Sequence, residues 1–276
     1  LRKIQGVFCS TGAITHYPNF PDYKTILENG HKLDADGLEL IMYPNWYNKI
    51  DSITHKLSIS KLKFPVVHAD KDIGPLITEL NTTDYYKGMD ILKLNCQVAK
   101  ELNTKLMVLH LWGMPISDDK FENNIIAFEK CLEIAEAYGI CIAVETLPCR
   151  QSNPINNLKK LIEKYPQTKV VLDLRMLSYH DLLWTTLETK WLWEKAYVAH
   201  MHINDYRGKP YSTESLKNCL FPGDGDIDFP RFFNMIKTLN YKGTLTLECA
   251  SLSAEGIPDY NVINNSLNYL RENTII

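Results

Sequence analysis

The sequence predicts an α/β protein, a closed parallel (β/α)8 barrel formed by a single domain over residues 1–276. Three observations predict it. Eight short runs rich in β-branched and other apolar residues occur along the chain, and a segment of helical periodicity follows each. Successive runs begin roughly 25 to 45 residues apart, which is room for one helix and two loops. No Gly-rich phosphate loop follows the first run, where Cys9-Ser10-Thr11-Gly12 stands instead. That absence speaks against the competing arrangement, an open doubly wound sheet.

The strand-like runs are Ile4–Cys9, Gly37–Met42, Phe64–His68, Leu106–His110, Cys141–Glu145, Val170–Leu174, Val198–Ile203 and Thr244–Cys249. The helix-period segments are Asp22–Leu33, Trp46–Ser60, Thr83–Leu102, Lys120–Tyr138, Asn156–Lys164, Leu182–Lys195, Phe229–Leu239 and Asp259–Glu272. In the fourth of these, Phe121, Ile125, Phe128, Leu132 and Ala135 recur on one face. Gly139, just before the fifth strand, suits a helix C-terminus. No low-complexity linker or long repeat divides the chain.

Composition sets the class. Of the 276 residues, 45% are hydrophobic and 23% charged, the profile of an ordinary globular protein. The 30 basic and 33 acidic residues leave a net charge of −3, which gives no field to attract nucleic acid or an anionic membrane. No apolar run reaches the roughly 18 residues that span a bilayer. No charged-then-apolar leader opens the sequence, which speaks against secretion. The seven cysteines are odd in number and scattered, with no Cys-x-x-Cys spacing, so a reduced, cytoplasmic protein without a disulfide framework is expected.

In such a barrel the active site lies at the C-terminal ends of the strands. Most of the runs end in a residue able to bind metal: His68, His110, Glu145, Asp173, His202 and Glu248. Glu39, near the end of the second run, points the same way. A lone strand-end histidine is more often a hydrogen-bonded structural residue. Six strands in agreement are different, because these ends converge on one axis and buried carboxylates and imidazoles are costly without a cation or each other. Nitrogen and oxygen donors without thiolates suit Mn2+, Zn2+ or Co2+, with Mg2+ disfavoured where imidazoles are ligands.

His200 and His202 lie two apart, so on a strand they share a face and both could point inward; only one needs to be a ligand, and the other could support it. His16, His31, His55 and His180 are read as solvated surface. Tyr43, Trp46, Tyr47 and Trp112 fall on loops above the barrel, where they either stack on a substrate ring or cover the barrel mouth. Arg207 is either a ligand for a hydroxyl or phosphate or an exposed loop residue. The segment Pro222–Asp228 is acidic and Gly-rich but lacks calcium-loop spacing, and reads as a turn.

Read together, Val67-His68-Ala69, Val108-Leu109-His110, Val144-Glu145-Thr146, Leu172-Asp173-Leu174, His200-Met201-His202-Ile203-Asn204-Asp205, Pro222-Gly223-Asp224-Gly225 and Leu247-Glu248 resemble the xylose-isomerase-like TIM barrels. That family includes sugar and sugar-phosphate isomerases and epimerases and the apurinic endonucleases. The resemblance implies one divalent ion held by Glu145, Asp173, His202 and Glu248, with Glu145 and Glu248 flanking the reacting carbon and exchanging its proton. It implies that His68 and His110 serve as ligands of a second metal or of substrate.

Departures narrow the expectation. The endonuclease branch carries a histidine three residues after the strand-six Asp and an Asp-x-His after strand seven. Here Met176 occupies the first position, and no Asp-x-His lies between Tyr206 and Pro222. The same Met176, and Gly208 where ketose 3-epimerases place a substrate arginine, set the chain apart from those enzymes; Arg207 falls one position short. The expected activity is metal-dependent isomerisation or epimerisation of a small polyhydroxy carbonyl compound, through an enediolate. The substrate contacts would come from His68, His110, Trp112, His200 and Arg207. A dehydratase acting on an inositol-type ketone would need nearly the same residues. The alternatives are a two-metal phosphoesterase and a non-catalytic sugar-binding barrel. The expected partner is a small carbohydrate, with homo-oligomerisation open; the net charge speaks mildly against nucleic acid, and no membrane partner is expected.

Overall fold

The computed structural model describes residues 4–15, 22–113, 117–253 and 255–274. Eight strands, β1 (Gly6–Ser10), β2 (Leu38–Ile41), β3 (Val66–His68), β4 (Leu106–Leu109), β5 (Cys141–Glu145), β6 (Lys169–Asp173), β7 (Val198–Ile203) and β8 (Thr244–Leu247), follow one another in chain order round a closed barrel. The pairing is parallel, and β8 meets β1 with Gly6 opposite Thr244 and Cys9 opposite Leu247. Strands covered on both faces are expected to be apolar throughout, and the residues of β1 and β2 are all buried.

The helices lie between the strands. After β1 come α1 (Gly12–Thr15) and α2 (Tyr23–Asn29), and after β2 comes α3 (Ile50–Ser58). After β3 run α4 (Ile73–Ile77) and α5 (Thr83–Glu101), after β4 α6 (Phe121–Tyr138), and after β5 α7 (Pro154–Lys164). Then α8 (Leu174–Tyr179), α9 (Leu183–Leu187) and α10 (Lys190–Glu194) follow β6, α11 (Thr213–Lys217) and α12 (Phe229–Thr238) follow β7, and α13 (Tyr260–Thr274) follows β8. Their ends carry the expected chemistry. Thr82 and Asn153 accept backbone N–H groups at the starts of α5 and α7, and Gly139 ends α6 in the left-handed region at φ 70°. Among the described residues, no helix is long and apolar enough to cross a membrane.

The chain gathers into two compact units, one of Leu1–Glu39, Ser60–Lys63 and Leu172–Ile276, the other of Leu40–Ile59 and Phe64–Val171. In the first, Phe229, Phe232, Phe233 and Tyr269 join α12 to α13 through ring contacts of 5.5 to 6.3 Å. In the second, α5 and α6 pack their apolar faces with Leu92, Cys96, Phe128 and Cys131 fully buried.

Several expectations need correction. The segment expected as one helix over Leu182–Lys195 is two, because Thr189 takes an extended conformation (φ −77°, ψ 94°) and restarts the helix at α10. His110, Leu174, Glu248 and Cys249 lie just past the strands in which they were expected. The strand pairing ends before them, which puts His110 and Glu248 on the first residue of a loop. The short α1, α4, α8 and α11 were not expected, since four to six residues hold too little periodicity to register.

Candidate metal and proton-transfer site

β7 carries the centre of the first unit's site. His200 and His202 point the same way because alternate residues of a strand share a face, and both are fully buried. Glu39, the second residue of β2 and not near its end as expected, spans them: Oε2 lies 3.0 Å from His200 Nε2 and Oε1 lies 3.0 Å from His202 Nε2. His200 Nδ1 lies 2.6 Å from the Thr244 hydroxyl of β8. Burial opposes ionisation of Glu39, but electrostatic attraction to His202 and the hydrogen bonds from both imidazoles hold its carboxyl well below the usual range. With the Nε2 proton of His202 committed to Glu39, Nδ1 is the nitrogen that faces the site.

His202 Nδ1 lies 3.4 Å from Glu248 Oε2 and 4.0 Å from Asp173 Oδ2. These separations are longer than good hydrogen bonds. They match the spacing of ligand atoms that each lie about 2.1 Å from one shared ion. Asp173 is fixed on both sides. Its Oδ1 accepts the Met176 N–H at 2.8 Å as the cap of α8, and its Oδ2 accepts the Asn204 side-chain amide at 2.8 Å. Two carboxylates facing one imidazole nitrogen in a buried volume form a donor set that fits a divalent cation.

Within the second unit, His68, His110 and Glu145 cluster. His110 Nε2 lies 2.6 Å from Glu145 Oε2, and His68 Nε2 lies 3.4 Å from the same oxygen. The His68 Nδ1–H donates to the Ala69 carbonyl at 2.9 Å, so its Nε2 lone pair faces Glu145. Burial pushes His110 down to about 4, with Glu145 pulling the other way, so the ring is neutral at pH 7. His68, His110 and Glu145 together form a second group able to hold a metal.

Side chains that sequence reasoning passed over hold these clusters in place. Asn204 bonds Asp173 and also accepts the Arg175 backbone N–H at 2.9 Å. Asp205, buried, accepts the N–H groups of Tyr206, Gly223, Gly225 and Ile227 at 2.7 to 3.1 Å. It organises the Pro222–Asp228 segment as a turn. A Cβ on Gly225 would fall 2.3 Å from Asp205 Oδ1, so this position must be glycine. The His202-Ile203-Asn204-Asp205 run therefore supplies one nitrogen that faces the candidate site and two supports. Only the run itself was visible in the sequence.

Asp118 does the same for the loop after β5. Its carboxylate accepts the backbone N–H groups of Arg150, Gln151 and Ser152 at 2.6 to 2.9 Å, and the Ser117 hydroxyl and Asn157 amide. Burial opposes ionisation, but these donors hold the group well below the usual carboxylate range. A carboxylate lowered in the folded state stabilises fully above its unfolded value of about 3.9 and loses that contribution as pH falls through the folded value. Asp118→Asn is accordingly expected to cost about 1–3 kcal/mol at pH 7, because the half-buried N–H groups of the loop lose their carboxylate acceptor. Urea unfolding from pH 7 down to acid checks this: the gap between wild type and variant should close below pH about 4.

The remaining candidates are placed as follows. Trp112 is buried, donates its indole N–H to the Pro148 carbonyl at 3.3 Å and packs edge-on against Phe121. Arg207 is exposed, with its guanidinium on the Asp224 carbonyl. Trp46 is buried, and the Tyr47 hydroxyl donates to Asp70 at 2.8 Å. His31 and His55 are exposed as expected. His180 is not: it is buried edge-on between Tyr179 and Tyr211, because α8 turns it inward. His16 lies outside the described residues.

Residues 27–273 match the family model described as xylose isomerase-like TIM barrel. The chain is 23% identical over 197 residues to the inosose dehydratase of Clostridium tetani, which covers 67% of this chain and 52% of that protein, so it spans about half that relative's length. Among solved structures, D-psicose 3-epimerase with D-tagatose from Clostridium cellulolyticum H10 superposes with a TM-score of 0.74 at 14% identity, covering 98% of this chain and 100% of the other. The IOLI protein with a bound zinc atom superposes with a TM-score of 0.70 at 16% identity, covering 98% and 96%. At such identities the likeness to these structures is one of fold, whereas the family match spans most of the sequence. The chain therefore belongs to the xylose isomerase-like TIM barrel family.

Proposed function

We propose that this protein, acting as one domain over residues 1–276, is a divalent-metal-dependent isomerase or epimerase of a small polyhydroxy carbonyl compound. The observation that carries the reading is the set of two carboxylates, Asp173 and Glu248, facing the Nδ1 of a histidine whose other nitrogen is committed to Glu39. The sugar-epimerase and inosose-dehydratase relatives support the substrate class, and zinc in the IOLI protein supports the cofactor.

Asp173, His202 and Glu248 would hold the ion, with Glu145 at the end of β5 as the fourth ligand, and Mn2+, Zn2+ or Co2+ suits the donors. Once bound, such an ion supplies a Lewis acid that lowers the cost of negative charge developing on the substrate's carbonyl and hydroxyl oxygens. Glu248 or Glu145 takes the proton beside the carbonyl, and the other carboxylate returns one; delivery from the opposite face gives epimerisation. His110, neutral at pH 7, holds Glu145 Oε2 and keeps that carboxylate oriented. His68, His110, Trp112 and Arg207 stay as candidates for touching substrate. His200, both of whose nitrogens are engaged, is assigned to holding Glu39.

The hydrolytic alternative has one observation in its favour, the His68–His110–Glu145 group, which would hold a second ion. Metal stoichiometry separates the two readings. The deciding experiment is proton exchange in D2O, followed by NMR, with protein loaded with Mn2+, Co2+, Zn2+ or Mg2+. The substrate panel comprises ketoses, sugar phosphates and inosose-like ketones. Deuterium appearing beside a carbonyl is the expected result. Absence of exchange across the panel at full metal occupancy, with two ions per chain, would shift the assignment to hydrolysis.

A further inference from the structure

Two cysteines stand beside Glu248 without a part in the chemistry above. The sulfurs of Cys219 and Cys249 are 3.4 Å apart. Each thiol also donates to a main-chain carbonyl beside the other cysteine: Cys219 to Glu248 O at 2.7 Å, and Cys249 to Leu220 O at 3.0 Å. The pair therefore clamps the end of β8 against the segment that follows α11. Cys249 is buried, whereas Cys219 is partly open to solvent.

We propose that Cys219 and Cys249 form a thiol–disulfide modification site for a small two-electron oxidant of the peroxide class, and that its state sets the position of Glu248. Cys219, the sulfur that solvent reaches, attacks one peroxide oxygen. The O–O bond breaks, Cys219 becomes a sulfenic acid, and the departing hydroxide leaves as water with the proton of the Cys219 thiol. Cys249 then attacks the Cys219 sulfur. The S–O bond breaks, the S–S bond forms, and a second water leaves with the Cys249 proton. Hydrogen peroxide has gained two electrons and the two sulfurs have lost one each.

Closing the bond draws the sulfurs from 3.4 Å to about 2.05 Å and removes both S–H donors. The Glu248 carbonyl loses its partner, and the backbone that carries the carboxylate shifts. Because that carboxylate lies 3.4 Å from His202 Nδ1, oxidation weakens the donor set it forms with His202 and Asp173. This second half of the inference rests on the metal reading given above; the crosslink does not.

Reduced full-length protein is treated with stoichiometric hydrogen peroxide, alkylated, digested without reductant and mapped by mass spectrometry. Mn2+ binding is titrated before and after. Expected are a Cys219–Cys249 linked peptide lacking two hydrogens, Mn2+ affinity lowered about tenfold or more, and recovery with dithiothreitol. Cys219→Ser should keep its Mn2+ affinity through the same treatment. Accumulation of Cys219 sulfinic acid with Cys249 still a thiol overturns the modification site. A linked wild type with unchanged Mn2+ affinity overturns its effect on Glu248. If the reduced protein binds no Mn2+, Zn2+ or Co2+, the metal reading fails together with the effect on Glu248, and the mass map still decides the crosslink.

Discussion

Glu248→Gln is expected to lower turnover by about 10²–10⁴-fold, the usual share of a positioned general acid or base. The amide keeps the size of the carboxylate and one oxygen for the ion, but it cannot take a proton from carbon. KM should therefore move far less than kcat. Glu145→Gln should behave alike, since the proton removed on one side must be restored from the other. Rates of deuterium incorporation into whichever ketose the wild type exchanges provide the measurement. In an epimerisation, one of the two variants should retain exchange at a single face while losing net conversion. If both variants kept near-native turnover, the assignment of Glu145 and Glu248 as proton carriers would fail.

The second large effect is expected at a residue that touches no substrate. Glu39→Gln leaves His200 and His202 sharing one amide oxygen where each now has its own carboxylate oxygen at 3.0 Å. The preference for a proton on Nε2 of His202 weakens, and Nδ1 is no longer reserved for the ion. Loss of a carboxylate behind a metal-binding histidine costs about 10–100-fold in metal affinity. Titration of Zn2+ or Mn2+ into metal-free protein should show that drop with one site per chain unchanged. The visible spectrum of the Co2+ form should shift as well, which a merely less stable protein would not produce. Unaltered affinity would show that His202 does not depend on Glu39.

The barrel, and the residues now proposed for its candidate site, were legible in the sequence for one reason. A strand alternates its faces, so a polar residue at the end of an apolar run is conspicuous, and His68, Glu145, Asp173 and His202 announced themselves in that way. What was hidden acts across distance. Asp118 serves N–H groups 32 to 34 residues away, and Asp205 serves a turn 18 to 22 residues away. An Asp in a loop carries no local mark of such service. His180 was misjudged because α8, six residues long, has no periodicity from which its inward turn can be read. The break between α9 and α10 was hidden likewise, since both halves keep apolar residues at helical spacing.

The way one carboxylate spans two imidazoles has a consequence for how this protein can change over generations. Glu39, His200 and His202 are fully buried and answer one another's charge and protons. A single exchange at any of the three strands the other two, so each step away from the present triplet passes through a damaged intermediate. The loops beyond the strand ends are under no such constraint. Descendants of this chain can therefore drift in what they accept while inheriting the three residues at the base of the site as one indivisible character.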